Sequence, residues 1–121
     1  MKVIIDLIED LRESIQNNAA YQVTAMLLKA NEEDEKKLAY AGEAPVASFF
    51  LDEEKRELVL SVDREKEPLK IGDFVPHLQI MGLDKMMYEV KLAVSPNHSH
   101  KEIVGFGVNT DESKYALFIM A

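Results

Sequence analysis

The sequence predicts an α+β fold: one domain over residues 1–121, with a mainly antiparallel sheet of about six or seven strands, an N-terminal amphipathic helix and a short middle helix. Three observations lead there. Residues 86–94 alternate without a break, with Met86, Tyr88, Val90, Leu92 and Val94 on one face and Met87, Glu89, Lys91 and Ala93 on the other. That period of two is the signature of a half-buried strand. Other short apolar runs are joined by polar turns, as in a meander, whereas near the N-terminus the apolar spacing changes to three and four. A curled half-barrel is the alternative form of the sheet.

The elements follow in order. Val3 to Gln16 places Ile4, Leu7, Ile8, Leu11 and Ile15 on one helical stripe and Asp6, Glu9, Asp10 and Glu13 outside it; Asn17-Asn18 supplies a stop. Residues 20–29 fit either a strand or a helix face, and the β-branched and aromatic content favours a strand. Asn31 to Glu35 then turns into a return strand at Lys37 to Ala41. A second hairpin pairs Ala47–Leu51 with Glu57–Val62 around the charged turn 52–56. Asp73 to Met81 reads as a short helix, with Asp73 as cap, Pro76 in the first turn and Gly82 past the end. Strand 86–94, a turn at Ser95-Pro96-Asn97, a strand at Ile103–Val108 and a final strand at Lys114–Ala121 complete the chain. The final strand is apolar on both faces, which places it centrally or beneath a covering element.

Composition narrows the function classes. The chain has 121 residues, enough for one core, and no cysteine, so neither a disulfide framework nor a thiolate site is available. Net charge is −8, and the acidity is concentrated in residues 1–67, with 16 acids against 9 bases. Nucleic-acid binding and docking on anionic lipid both call for the opposite sign; neither partner is expected. An acidic half instead suits a basic protein partner or a solvated surface. The N-terminus MKVIIDLIED does not read as a signal peptide, because Asp6 breaks its apolar run. The longest apolar run, Tyr115 to Ala121, falls far short of the roughly 20 residues a membrane span needs. A cytoplasmic location is the expectation.

The motifs are few. His98, His100 and Glu102 fall on one side of an extended stretch and would be a ligand set for zinc or non-haem iron. Pro96-Asn97 and Lys101 argue against that site, and no metal or other cofactor is expected. Asp73 and His77 are one helical turn apart, but no nucleophile is nearby in sequence to be activated. Gly105-Phe106-Gly107 is not a dinucleotide fingerprint, since Thr110 stands where a third glycine is required. The two glycines instead leave one strand face bare, a sign that something approaches closely: an aromatic neighbour, a sheet bend or a ligand. PLKIGDFVPHL, the alternating strand and IVGFGVNTDES together are distantly similar to the second half of PilZ-type barrels. The paired-arginine and Asp-Ser-Gly motifs of that family are absent, the only arginines being Arg12, Arg56 and Arg64, so no function is carried over.

The sequence therefore points away from an enzyme and toward a small acidic interaction or regulatory domain acting through a protein partner. Candidate ligand or interface residues are Met87, Gly105, Gly107, Phe118 and Met120. The doubly apolar last strand raises the expectation of a homodimer. Two alternatives stand: a small-molecule-binding domain with a pocket near the Gly105/Gly107 strip, and a metal-dependent enzyme using His98 and His100.

Overall fold

The computed structural model describes residues 1–31, 33–94 and 100–120. Helix α1 spans Ile4–Ile15 and buries Ile4, Leu7, Leu11 and Ile15, the stripe its spacing requires. The Val3 N–H donates to the Asp6 carboxylate at 2.9 Å, satisfying one of the donors left at the helix entrance. Gln16 and Asn17 turn left-handed (φ 53° and 56°), and the Asn17 N–H reaches back to the Leu11 carbonyl at 3.1 Å, closing the helix.

Seven strands follow: β1 (Gln22–Asn31), β2 (Asp34–Asp52), β3 (Glu57–Val62), β4 (Glu89–Ala93), β5 (Lys101–Glu102), β6 (Gly105–Asn109) and β7 (Lys114–Met120). Helix α2 (Ile71–Gln79) and a 3₁₀ turn (Leu83–Lys85) lie between β3 and β4. The sheet order is β5-β4-β3-β2-β1-β7-β6. Its two outermost strands, β5 and β6, are successive pieces of one run separated only by Ile103 and Val104, so the sheet must curl until its ends nearly meet. The inward residues of β1, β3, β4 and β7 form one core with both helices. The fold is thus α+β, with a curled sheet, an N-terminal helix and a short middle helix. Pairing is antiparallel except for β1 with β7 and β3 with β4, which run parallel.

The ambiguous segment after α1 is a strand, held by β2 on one side and β7 on the other. Beyond it the structure departs from expectation. The strands expected at Lys37–Ala41 and Ala47–Leu51 are one strand, β2, which pairs with β1 up to Pro45 and with β3 from Val46 onward. Pro45 is tolerated because it sits where the strand changes partner; its carbonyl accepts the Asp63 N–H at 3.2 Å. Leu69 fills the fork, accepting from the Val23 N–H at 2.8 Å and donating to the Val46 carbonyl at 2.7 Å.

The middle helix starts two residues before Asp73. Lys70 is its extended cap residue, and the Ile71 N–H is bonded to the Tyr21 carbonyl at 2.8 Å. Burial decides this: Ile71, Phe74, Val75 and Leu78 form the inward stripe, so Ile71 must belong to the helix. Pro76 therefore lies inside the helix rather than in its first turn. Gly82 is not the C-terminal residue expected, since the helix ends at Gln79 and Gly82 instead precedes the 3₁₀ turn. The alternating strand is also shorter than 86–94. Met86, Met87 and Tyr88 leave the sheet because the Met86 and Tyr88 carbonyls accept the N–H groups of Ile5 and Ile4, each at 3.0 Å, and so anchor α1. The expected turn at Ser95-Pro96-Asn97 lies outside the described residues. Among those described, no helix is long and apolar enough to cross a membrane.

Candidate functional site

The outer face of β2, β1 and β7 carries the main polar cluster. Register places Glu43 beside Met26, Lys114 beside Gln22, and Thr24 beside Pro45 and Ala116. Glu43 and Lys114 therefore reach toward each other across β1, and the ammonium donates to Glu43 Oε1 at 2.7 Å. Lys114 also pairs with Glu112 at 3.1 Å. Beneath them lies Thr24, the one buried polar side chain among the described residues. Its hydroxyl is within 3.1 Å of both Glu43 Oε1 and the Ala44 carbonyl, and its single hydrogen serves one of them. Tyr40 donates to the other Glu43 oxygen at 3.4 Å. The Lys114 ammonium holds the Glu43 carboxyl below its ordinary range, against the opposing effect of partial burial. Glu43 and then Glu112 hold Lys114 above its own.

This cluster forms a ridge between two depressions of about 450 and 370 Å³, both lined by Thr24, Glu43 and Lys114. The first extends toward Pro45 and Pro68 at the fork of β1 and β2. The second crosses β1, β7 and β6. Its floor is the row Thr24–Ala116–Gly107, and Met26 and Phe118 wall one side. The bare glycine strip belongs here. A Cβ on Gly107 would lie 2.5 Å from the Phe118 ring, and one on Gly105 would lie 3.6 Å from it. The glycines make room for an aromatic from the neighbouring strand, and that ring borders the groove.

Met87 and Met120 occupy different surfaces. Met120 is partly exposed beside Leu28 at the end of β7. Met87 is not on a strand face; it belongs to the segment after α2, where Ile80, Leu83 and Met87 are 82%, 91% and 71% exposed. Backbone bonds hold this segment in place. Met81 N–H donates to Leu78, Lys85 to Gly82, Met86 to Leu83 and Tyr88 to Lys85. Lys85 also pairs with Glu53 of the β2–β3 turn at 3.1 Å. Sequence reading missed Ile80 and Leu83 because both were absorbed into the expected helix and its exit. The signal was present: Ile80-Met81-Gly82-Leu83 continues apolar after the inward stripe has ended.

Of the expected metal ligands, His98 lies outside the described residues. His100 turns Nδ1 to Glu57 Oε1 at 3.2 Å and meets the Phe50 ring edge-on. Glu102 pairs with the N-terminal ammonium at 3.0 Å, which lowers its pKa. These two residues thus have separate partners, and among the described residues no three potential ligands converge. His77 packs edge-on against Phe49 at 5.3 Å.

Compared with family models, curated proteins and solved structures, the chain matches none.

Proposed function

We propose that this chain is a small, cytoplasmic, non-enzymatic interaction domain that acts through a protein partner, docking on the segment Ile80–Met87. The observation that carries this reading is the exposure of Ile80, Leu83 and Met87 on a backbone pinned at both ends. Three large apolar side chains held in water on a fixed frame cost solvation without contributing to the core. Large apolar side chains exposed within one short segment suit an interaction surface. The fixed frame lowers the ordering cost a partner would otherwise meet.

The test is a paired affinity capture from the native host with the wild-type chain and Ile80→Asp/Leu83→Asp. Both side chains are exposed, so the variant should keep its fold and melting temperature. A protein recovered with the wild type and lost with the variant supports the reading. Equal recovery of every protein with both baits overturns it. A homodimer is the second form of partner proposed, on the outer surface where Tyr40, Leu28 and Met120 adjoin. Sedimentation equilibrium at micromolar concentration decides that point, since a single-chain mass independent of concentration excludes it.

The groove over Thr24, Ala116 and Gly107 favours a second reading, a small-molecule-binding domain. Its volume of about 370 Å³ falls in the range of ligand sites, and its lining sets apolar groups (Met26, Val108, Ala116, Phe118) beside polar ones that can orient a ligand.

A further inference from the structure

The charges around the groove on β1, β7 and β6 are unbalanced in a way that selects a ligand. Among the described residues Lys114 is the only basic one lining it, and its ammonium is already shared between Glu43 and Glu112. Two carboxylates, Glu43 and Asp111, line the same groove. Asp111 is exposed on the β6–β7 turn and, among the described residues, has no ion pair. An anion entering the groove would meet two carboxylates and a lysine with no charge to spare. A cation would find Asp111 free to receive it at the mouth, with Glu43 behind. Thr24, Asn109 and Thr110 add uncharged polar groups, while Ala116 and Gly107 in the floor and the Met26 and Phe118 side chains as wall make an apolar strip on which a flat hydrocarbon body can lie.

We propose that this groove binds a small organic cation, an ammonium group carried on a flat apolar body, with the body on Ala116 and Phe118 and the ammonium toward Asp111. The proposal rests on the small-molecule reading and adds the ligand class to it. Burial of the apolar body supplies most of the affinity, and the exposed carboxylate supplies the preference of charge.

Three probes of one shape test it by amide chemical-shift titration of the full chain: 2-phenylethylammonium, 2-phenylethanol and 3-phenylpropionate. The ammonium should shift Thr24, Gly107 and Ala116 at millimolar concentration, the alcohol should bind more weakly, and the carboxylate should bind least. Asp111→Asn should weaken the ammonium by about two- to fivefold, the range an exposed charge pair supplies, and leave the alcohol unchanged. Ala116→Val, which raises the floor, should weaken both. If the alcohol or the carboxylate binds as tightly as the ammonium, the cation assignment is wrong while the groove stands as a site. If no probe shifts those amides, the small-molecule reading falls with it.

Discussion

The Tyr115 hydroxyl donates to the Asp10 carboxylate across 2.6 Å, joining the last strand to the first helix over most of the length of the chain. Tyr115 is 1% exposed and stacks on Phe106, whose ring in turn lies beneath the Lys2 ammonium at 5.7 Å. The bond thus sits between a fully enclosed ring and a carboxylate at the edge of the core. A hydrogen bond to a charged acceptor is worth about 1.5–3 kcal/mol. Tyr115→Phe should therefore lower stability by about that amount, read from urea unfolding; loss of less than about 0.5 kcal/mol would mean that Asp10 recovers an equal bond from water.

The same pair makes an alkaline prediction. Burial first, and then the Asp10 carboxylate, push the Tyr115 phenol far above its ordinary value. In the unfolded chain the phenol ionises near pH 10. The folded form keeps its proton where the unfolded form releases it, so the contribution is complete below about pH 10 and is lost as pH rises beyond it. Stability should fall by about 1.4 kcal/mol per pH unit above that point for this one group. Comparison of wild type and Tyr115→Phe between pH 9 and 11 isolates it, because the variant lacks that slope.

At the acid end the sign is reversed. Glu43 has a lowered pKa, through Lys114 above all, so its contribution is present above the ordinary glutamate value of about 4.3 and is lost as pH falls through the folded value. Lys114→Met should flatten this part of the acid unfolding curve. Both side chains are about 30% exposed, and high salt should likewise weaken the effect in the wild type. An acid limb that is the same in the variant, with or without salt, would show that the pair contributes nothing to folding.

Leu11 is 1% exposed at the centre of the α1 stripe. Leu11→Ala should cost about 2–5 kcal/mol, the range for buried leucine truncations. A cost below about 0.5 kcal/mol, measured by chemical denaturation, would place α1 outside the core.

Gly107→Ala should be destabilising by about 1 kcal/mol, the low end for added methyl groups, because the new methyl meets the tip of the Phe118 ring at 2.5 Å and the half-buried ring must shift toward the groove. The cost should shrink in a Phe118→Leu background. A double-mutant cycle showing no coupling between the two positions would sink this account of the bare strip.

Much of this fold was determined by the sequence alone. The three-and-four spacing of Ile4, Leu7, Leu11 and Ile15 dictates α1. The charged stretch 52–56 between two apolar runs dictates the β2–β3 hairpin, and the alternation at 86–94 locates β4, although Met86, Met87 and Tyr88 leave the sheet. In each case the signal is local: a face is set by side chains a few residues apart. What the tertiary structure decided is which strands are neighbours. A period of two tells which residues share a face but not which strand lies beside them, so the parallel pairs β1/β7 and β3/β4 could not be read. Nor could the passage of β2 through Pro45, where Leu69 and Asp63, both remote in sequence, complete the backbone bonding. The groove is of the same kind. Thr24, Gly107 and Ala116 become one floor only when β1, β7 and β6 adopt their register, and Glu43 meets Lys114 only across β1. The bare glycine strip was legible as a place of close approach, but its occupant, Phe118, was assigned by the pairing of β6 with β7. Long-range pairing of this sort is settled by the burial of many residues together, a property of the whole chain rather than of any short stretch.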